Sequence, residues 1–202
     1  MDRLELRRQL IHASGVAVAL AVKWGYHRFG GWMAPAAALT AALALGYGFS
    51  YLHRMGAHLP ILTEVILSSE REHDRDFPGR GALRFFTGAL LVLLIFRSDI
   101  EIVAAAIVVL ALGDSASTLG GLAFGRHRLP HNGKKSFEGS LSGFVAAFLG
   151  LALIAPFPLS LSAAASLTGV AVESLPLEID DNITVPISTG FVIWLFKAGI
   201  II

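Results

Sequence analysis

Cysteine is absent from this 202-residue chain. Its absence excludes disulfides, thiolate metal ligands and thiol nucleophiles. Charge is also scarce. Asp, Glu, Lys and Arg make up 15% of the residues, against about 25% in a soluble domain. A net charge of +1 leaves no basic face of the kind nucleic-acid binding requires. There is no His-Glu-x-x-His pattern, and Pro130 interrupts any helix joining His127 to His131, so a zinc site of that type is not expected. Gly133-Lys134-Lys135-Ser136 is a fragment of a phosphate loop only, since Arg128 stands where the loop would begin with glycine.

Apolar sequence fills the space that charge leaves. Hydrophobic residues make up 54% of the chain, and mean hydropathy is +0.67. A bilayer span needs about 20 apolar residues, or somewhat fewer with snorkelling flanks. Seven candidate spans satisfy this, at roughly 9–26, 32–52, 82–97, 99–118, 139–157, 160–177 and 184–201. Backbone cannot face lipid unpaired, so these must be helices. The expected fold is an all-α polytopic membrane bundle, with residues 1–202 as one integral-membrane domain. Arg3, Arg7 and Arg8 ahead of an apolar run imitate a signal peptide. The several apolar segments that follow favour a retained first span. Segment 59–70 is expected to be an interfacial or half-buried helix, and 70–81 a charged loop.

Lysine and arginine set the expected orientation. With the N-terminus in the cytoplasm, only Lys23, Arg28, Arg97 and Lys197 of the sixteen fall outside. The polar segments then gather on the cytoplasmic face: the N-terminal segment, the loops 53–81 and 119–138, and the acidic turn 178–182.

Several residues need a reason to be where they are. Asp114 follows Ile-Val-Val-Leu-Ala-Leu-Gly near the inner end of the fourth span. At that depth a carboxylate must pair, bind a metal or face water. Arg126, Arg128, Lys134 and Lys135 form a basic loop suited to phosphate; positive-inside topology or anionic lipid explains the cluster better taken alone, and its continuation Lys135-Ser136-Phe137-Glu138-Gly139-Ser140 shifts the balance to phosphate. Glu138 enters the next apolar span directly. Glu173 and Asp180 are seven residues apart, on one face if the helix continues. Asp181 and Asn182 suit a helix cap, with Pro186 near the first turn. An all-oxygen carboxylate set is what Mg²⁺ prefers. Arg8 and His12 share a helical face.

Taken together, Gly113-Asp114-Ser115-Ala116, Phe124-Gly125-Arg126, Lys135-Ser136-Phe137-Glu138-Gly139-Ser140 and Glu173 followed by Asp180-Asp181-Asn182 and Pro186 resemble the integral-membrane polyprenol kinase family. That family includes dolichol, phytol and farnesol kinases and a CTP-dependent diacylglycerol kinase. Glu5-Leu6-Arg7-Arg8 with His12 and Gly15 is similar to its N-terminal segment, and the small size resembles compact prokaryotic members. The resemblance implies Mg²⁺-assisted transfer of a γ-phosphoryl group, usually from CTP, to a membrane lipid alcohol at the cytoplasmic face. Phosphoryl transfer needs a metal, phosphate-binding cations and a positioned hydroxyl, and little else. On this reading Asp114, with Asp180 or Asp181, holds Mg²⁺. Lys135, assisted by Arg126 or Lys134, neutralises the transferred phosphoryl. Ser136, Gly139 and Ser140 cradle phosphate at a helix N-terminus. Glu138 or Glu173 orients the lipid hydroxyl, and Arg8, His12 and Asn182 are further candidates. Two alternatives use the same residues. One is a cytidylyltransferase forming a CDP-lipid. The other is a small transporter with Asp114 and Glu173 as relay groups.

Overall fold

The computed structural model describes residues 3–56, 64, 66 and 77–200. The expected interfacial helix at 59–70 and charged loop at 70–81 lie largely outside them. Helix occupies each of the seven expected positions. The N-terminal segment forms α1 (Arg3–Ala13) and α2 (Gly15–Phe29), separated at Ser14. There follow α3 (Met33–Arg54), α4 (Arg80–Ile95) and α5 (Ile100–Val108), which continues through a π turn at Val109–Asp114 into α6 (Ser115–Phe124). A short hairpin, β1 (Arg128–Leu129) against β2 (Asn132–Ser136), leads into α7 (Phe137–Ile154), α8 (Leu159–Ser174) and α9 (Asp181–Lys197). Met33–Arg54, Ile100–Phe124 and Phe137–Ile154 are long and apolar enough to cross a membrane, and Leu159–Ser174 is a shorter apolar helix. The protein is an all-α membrane bundle.

Helix ends follow local chemistry. Gly30 closes α2 at φ 72°, its N–H donating to the Tyr26 carbonyl, a left-handed cap that glycine adopts without strain. Asp99 caps α5 by accepting from the Glu101 amide at 3.2 Å, Ser136 caps α7 through the Gly139 amide at 3.1 Å, and Asp180 caps α9 through the Asn182 amide at 3.1 Å. Asp180 is thus the cap residue, and Asp181 is the first helical residue of α9.

The centre of the bundle is α5. Its residues from Ile102 to Val108 are at most 3% exposed. A helix apolar on every side must be surrounded, and α2, α4 and α9 pack against it while α7 and α8 close over its continuation. The outer helices turn apolar residues outward instead, such as Leu45 at 76% and Leu153 at 85% exposure. Such a surface is stable against lipid and costly against water.

Two glycines allow the closest helix approaches. Pro186 cannot donate to the carbonyl of Asn182, and Gly88 of α4 lies against that group: a Cβ there would sit 2.9 Å from the carbonyl carbon. Gly139 of α7 rests on α6, where a Cβ would stand 2.7 Å from the Ser117 carbonyl oxygen. Gly139→Ala gains up to about 1 kcal/mol of helix propensity, but the atom it meets is backbone and cannot swing aside. Overpacking of this kind costs ~1–3 kcal/mol. The variant should therefore unfold at a lower temperature than the parent in detergent, by circular dichroism. An unchanged midpoint would show that α6 and α7 separate without cost.

Candidate functional site

Asp114 lies inside its helix, and the span read as 99–118 runs on to Phe124. Asp114 closes the π turn, and α6 continues for ten residues beyond it. The small residues of 115–123 keep the chain helical there because α7 packs closely on them through Gly139 and Gly143. A π turn carries an extra residue per turn and often marks a functional site. From this junction two side chains meet different helices. Asp114 faces α1, with Oδ2 3.4 Å from His12 Nε2. Ser117, one turn on, faces α8 and its Oγ donates to both carboxylate oxygens of Glu173 at 3.3 Å.

Glu173 is 2% exposed and is held by two partners: the Ser117 hydroxyl and the ammonium of Lys135, which forms an ion pair with Oε1. Lys135 reaches it from β2, which is fastened to the end of α8 by neighbouring contacts. Asn132 Nδ2 donates to the Ser174 carbonyl at 3.0 Å, and His131 Nε2 lies 3.2 Å from Ser174 Oγ. Burial works against the charge on Lys135. The Glu173 carboxylate outweighs burial, helped by Asp114 and Asp181, and raises its pKa above the ordinary lysine value. Lys135 therefore stays a cation at neutral pH, set among three carboxylates. The structure brings Asp114, Lys135, Glu173 and Asp181 into this one cluster.

The other expected residues make the following contacts. Glu138 turns back to the hairpin loop. Its carboxylate accepts from the amides of Arg126 at 3.1 Å and His127 at 3.2 Å, and lies 2.6 Å from His127 Nδ1. The side chains of Arg126 and Lys134 are exposed on the hairpin. Ser136 spends its hydroxyl on the Gly139 amide, whereas Ser140 keeps a buried Oγ without a hydrogen-bond partner. Asp180 is committed to its cap and to Arg84, at 3.0 Å. Arg8 pairs with Glu5 at 2.7 Å. Asn182 donates through Nδ2 to Asp180 at 2.8 Å. Ser117 and the Asn132–Ser174 clasp have no distinguishing sequence signal, because a serine in a small-residue run reads as packing.

Among the described residues no three His, Asp or Glu side chains form a ready metal cage. Mg²⁺ does not require one, since it usually takes one or two carboxylates and completes its shell with water and phosphate. Three acids around one lysine leave uncompensated negative charge, and the donors are all oxygen. The cluster fits such an ion.

Comparison with known proteins agrees with this picture. The chain is 32% identical over 139 residues to an uncharacterised protein of Methanocaldococcus jannaschii, covering 67% of this chain and 68% of that one. It is 30% identical over 146 residues to a probable chloroplastic phytol kinase of Triticum aestivum, covering 65% of this chain and 49% of that one. A farnesol kinase of Arabidopsis thaliana is 28% identical over 167 residues, 76% of this chain and 54% of its own. The chain belongs to the polyprenol/phytol kinase family. It spans about half the length of the plant kinases it matches. No protein-family model matches the chain, and no solved structure does. Family membership gives the conjunction of acids and lysine a chemical context that its geometry alone leaves general.

Proposed function

We propose that this protein is a lipid-alcohol kinase, transferring the γ-phosphoryl group of a nucleoside triphosphate, CTP by preference, to an isoprenoid alcohol. The observation that carries this is Lys135, held charged beside Glu173 with Asp114 and Asp181 at hand, in a chain similar to proteins named phytol kinase and farnesol kinase. Asp114 and Asp181 would hold Mg²⁺. When bound, the ion would neutralise charge on the triphosphate. Lys135 would leave Glu173 to meet the triphosphate, which carries more negative charge. The exposed Arg126 and Lys134 on the hairpin would draw the nucleotide in by charge. Seven crossings with the N-terminus in the cytoplasm follow from the lysine and arginine bias, and put this chemistry on the cytoplasmic face.

The test uses the purified full chain with Mg²⁺, CTP or ATP, and phytol, farnesol or geranylgeraniol. Label on the γ-phosphorus should pass to the organic phase, and label on the α-phosphorus should not. Transfer of the α-label with release of pyrophosphate would replace the kinase with a cytidylyltransferase.

A further inference from the structure

A cavity of about 610 Å³ opens on the far side of Asp114 from Lys135, between α1–α2, α3 and α4. Its size is that of a small-molecule site, ~300–1,000 Å³. Its walls are apolar over most of their area, with Val18, Ala42, Phe49, Leu83 and Phe86 among them. Its polar lining includes three side chains that carry a buried atom without a hydrogen-bond partner: Gln9 Oε1, His12 Nε2 and Asn182 Oδ1. The two amide oxygens are the free atoms because the nitrogens are engaged, Gln9 Nε2 by Glu5 at 2.8 Å and Asn182 Nδ2 by Asp180. His12 Nε2 is within ion-pair reach of Asp114 but not hydrogen-bonded to it. Buried polar atoms without partners are costly. Three around one cavity make its polar end a place where a ligand hydroxyl can donate and accept.

We propose that this cavity is the acceptor site, holding a single-chain isoprenoid alcohol with its hydroxyl beside His12 and Asp114 and its tail between α2, α3 and α4. The assignment rests on the kinase reading above and names its second substrate's place. Two oxygens and a carboxylate accept hydrogen bonds, so the polar end suits a hydroxyl donor. Ester carbonyls would need donors there, and of the three guanidinium groups that line the cavity Arg8 and Arg84 are already held by Glu5 and Asp180, while Arg7 is exposed. The site thus selects against diacylglycerol. Asp114 stands on the boundary, with the alcohol on one side and Lys135 with the triphosphate on the other. His12 is a positioning residue. Ala42, whose side chain is a single methyl on the α3 wall, leaves room for the tail.

Two measurements test this. A farnesol analogue carrying a diazirine is photo-crosslinked to the full chain in detergent, and labelled peptides are mapped by mass spectrometry. Labelling should fall on α2, α3 and α4 and be displaced by geranylgeraniol, not by diacylglycerol. In turnover, Ala42→Phe should raise the KM for geranylgeraniol about tenfold or more, the scale of discrimination by apolar pocket contacts, with the KM for CTP unchanged. Labelling elsewhere, displacement by diacylglycerol alone, or a change confined to the CTP KM would overturn the site. Crosslinking here without phosphoryl transfer to any alcohol would sink the kinase reading and leave the site standing. Transfer with crosslinks elsewhere would do the reverse. Should Ala42→Phe not fold, Ala42→Leu takes its place, and the crosslinking of the parent chain decides in either case.

Discussion

Asp114→Asn should lower phosphoryl transfer to geranylgeraniol by about 100-fold or more, since losing one preorganised electrostatic contact at a transferring group typically costs ~10²–10³ in kcat. The substitution changes charge and almost nothing else. Asn has the shape of Asp, and the helix on either side of residue 114 is held by packing of the π turn against α7 and α8, not by the carboxylate. The unfolding midpoint should therefore stay near that of the parent. The two faces of Asp114 then separate its roles. As one ligand of Mg²⁺, the carboxylate sets how much metal the reaction needs, so the variant should require a higher Mg²⁺ concentration for half-maximal rate. Its contact with His12 concerns only the acceptor side. An amide oxygen still accepts there, so the alcohol KM should move far less than kcat. Near-normal turnover at ordinary Mg²⁺ would remove Asp114 from the metal.

How much of this could be read in the sequence varies with the range of the interaction. Helix positions were legible, because apolar runs of bilayer length admit little else. The course of 113–125 was not. An aspartate after seven apolar residues looks like a boundary, and what carries the helix past it is Gly139 and Gly143 of another helix, far away in the chain. The hairpin at 128–136 was equally hidden, since two short strands leave no period in a basic loop. At the site, Asp114 and Glu173 stood out because ionisable groups in apolar surroundings are costly, and Lys135 as part of a basic loop. Their pairing did not: Lys135 meets Glu173 across 38 residues. Glu138 stood out for the same reason, yet its oxygens are taken by the Arg126 and His127 amides. Cost identifies a residue that must be compensated without saying what compensates it.

The Lys135–Glu173 pair carries the second large effect, and a mutant cycle can divide its stability from its function. Lys135→Met leaves Glu173 buried with Ser117 as its remaining partner. Breaking one half of a buried pair costs ~3–5 kcal/mol, with the lower end expected here because Lys135 is 25% exposed at its side chain. Adding Glu173→Gln removes the stranded charge while keeping an oxygen for the Ser117 hydroxyl, which donates at 3.3 Å. The double variant should regain most of the lost stability, seen as a recovered unfolding midpoint in detergent. It should not regain label transfer from CTP, because the cation that would meet the phosphate is still missing. If the pair only fastened β2 to α8, stability and activity would return together, since the Asn132–Ser174 clasp survives in both variants. Recovery of the fold without recovery of turnover is the outcome that makes Lys135 a phosphate-binding group held ready by Glu173, and joint recovery is the outcome that reduces it to a fastening.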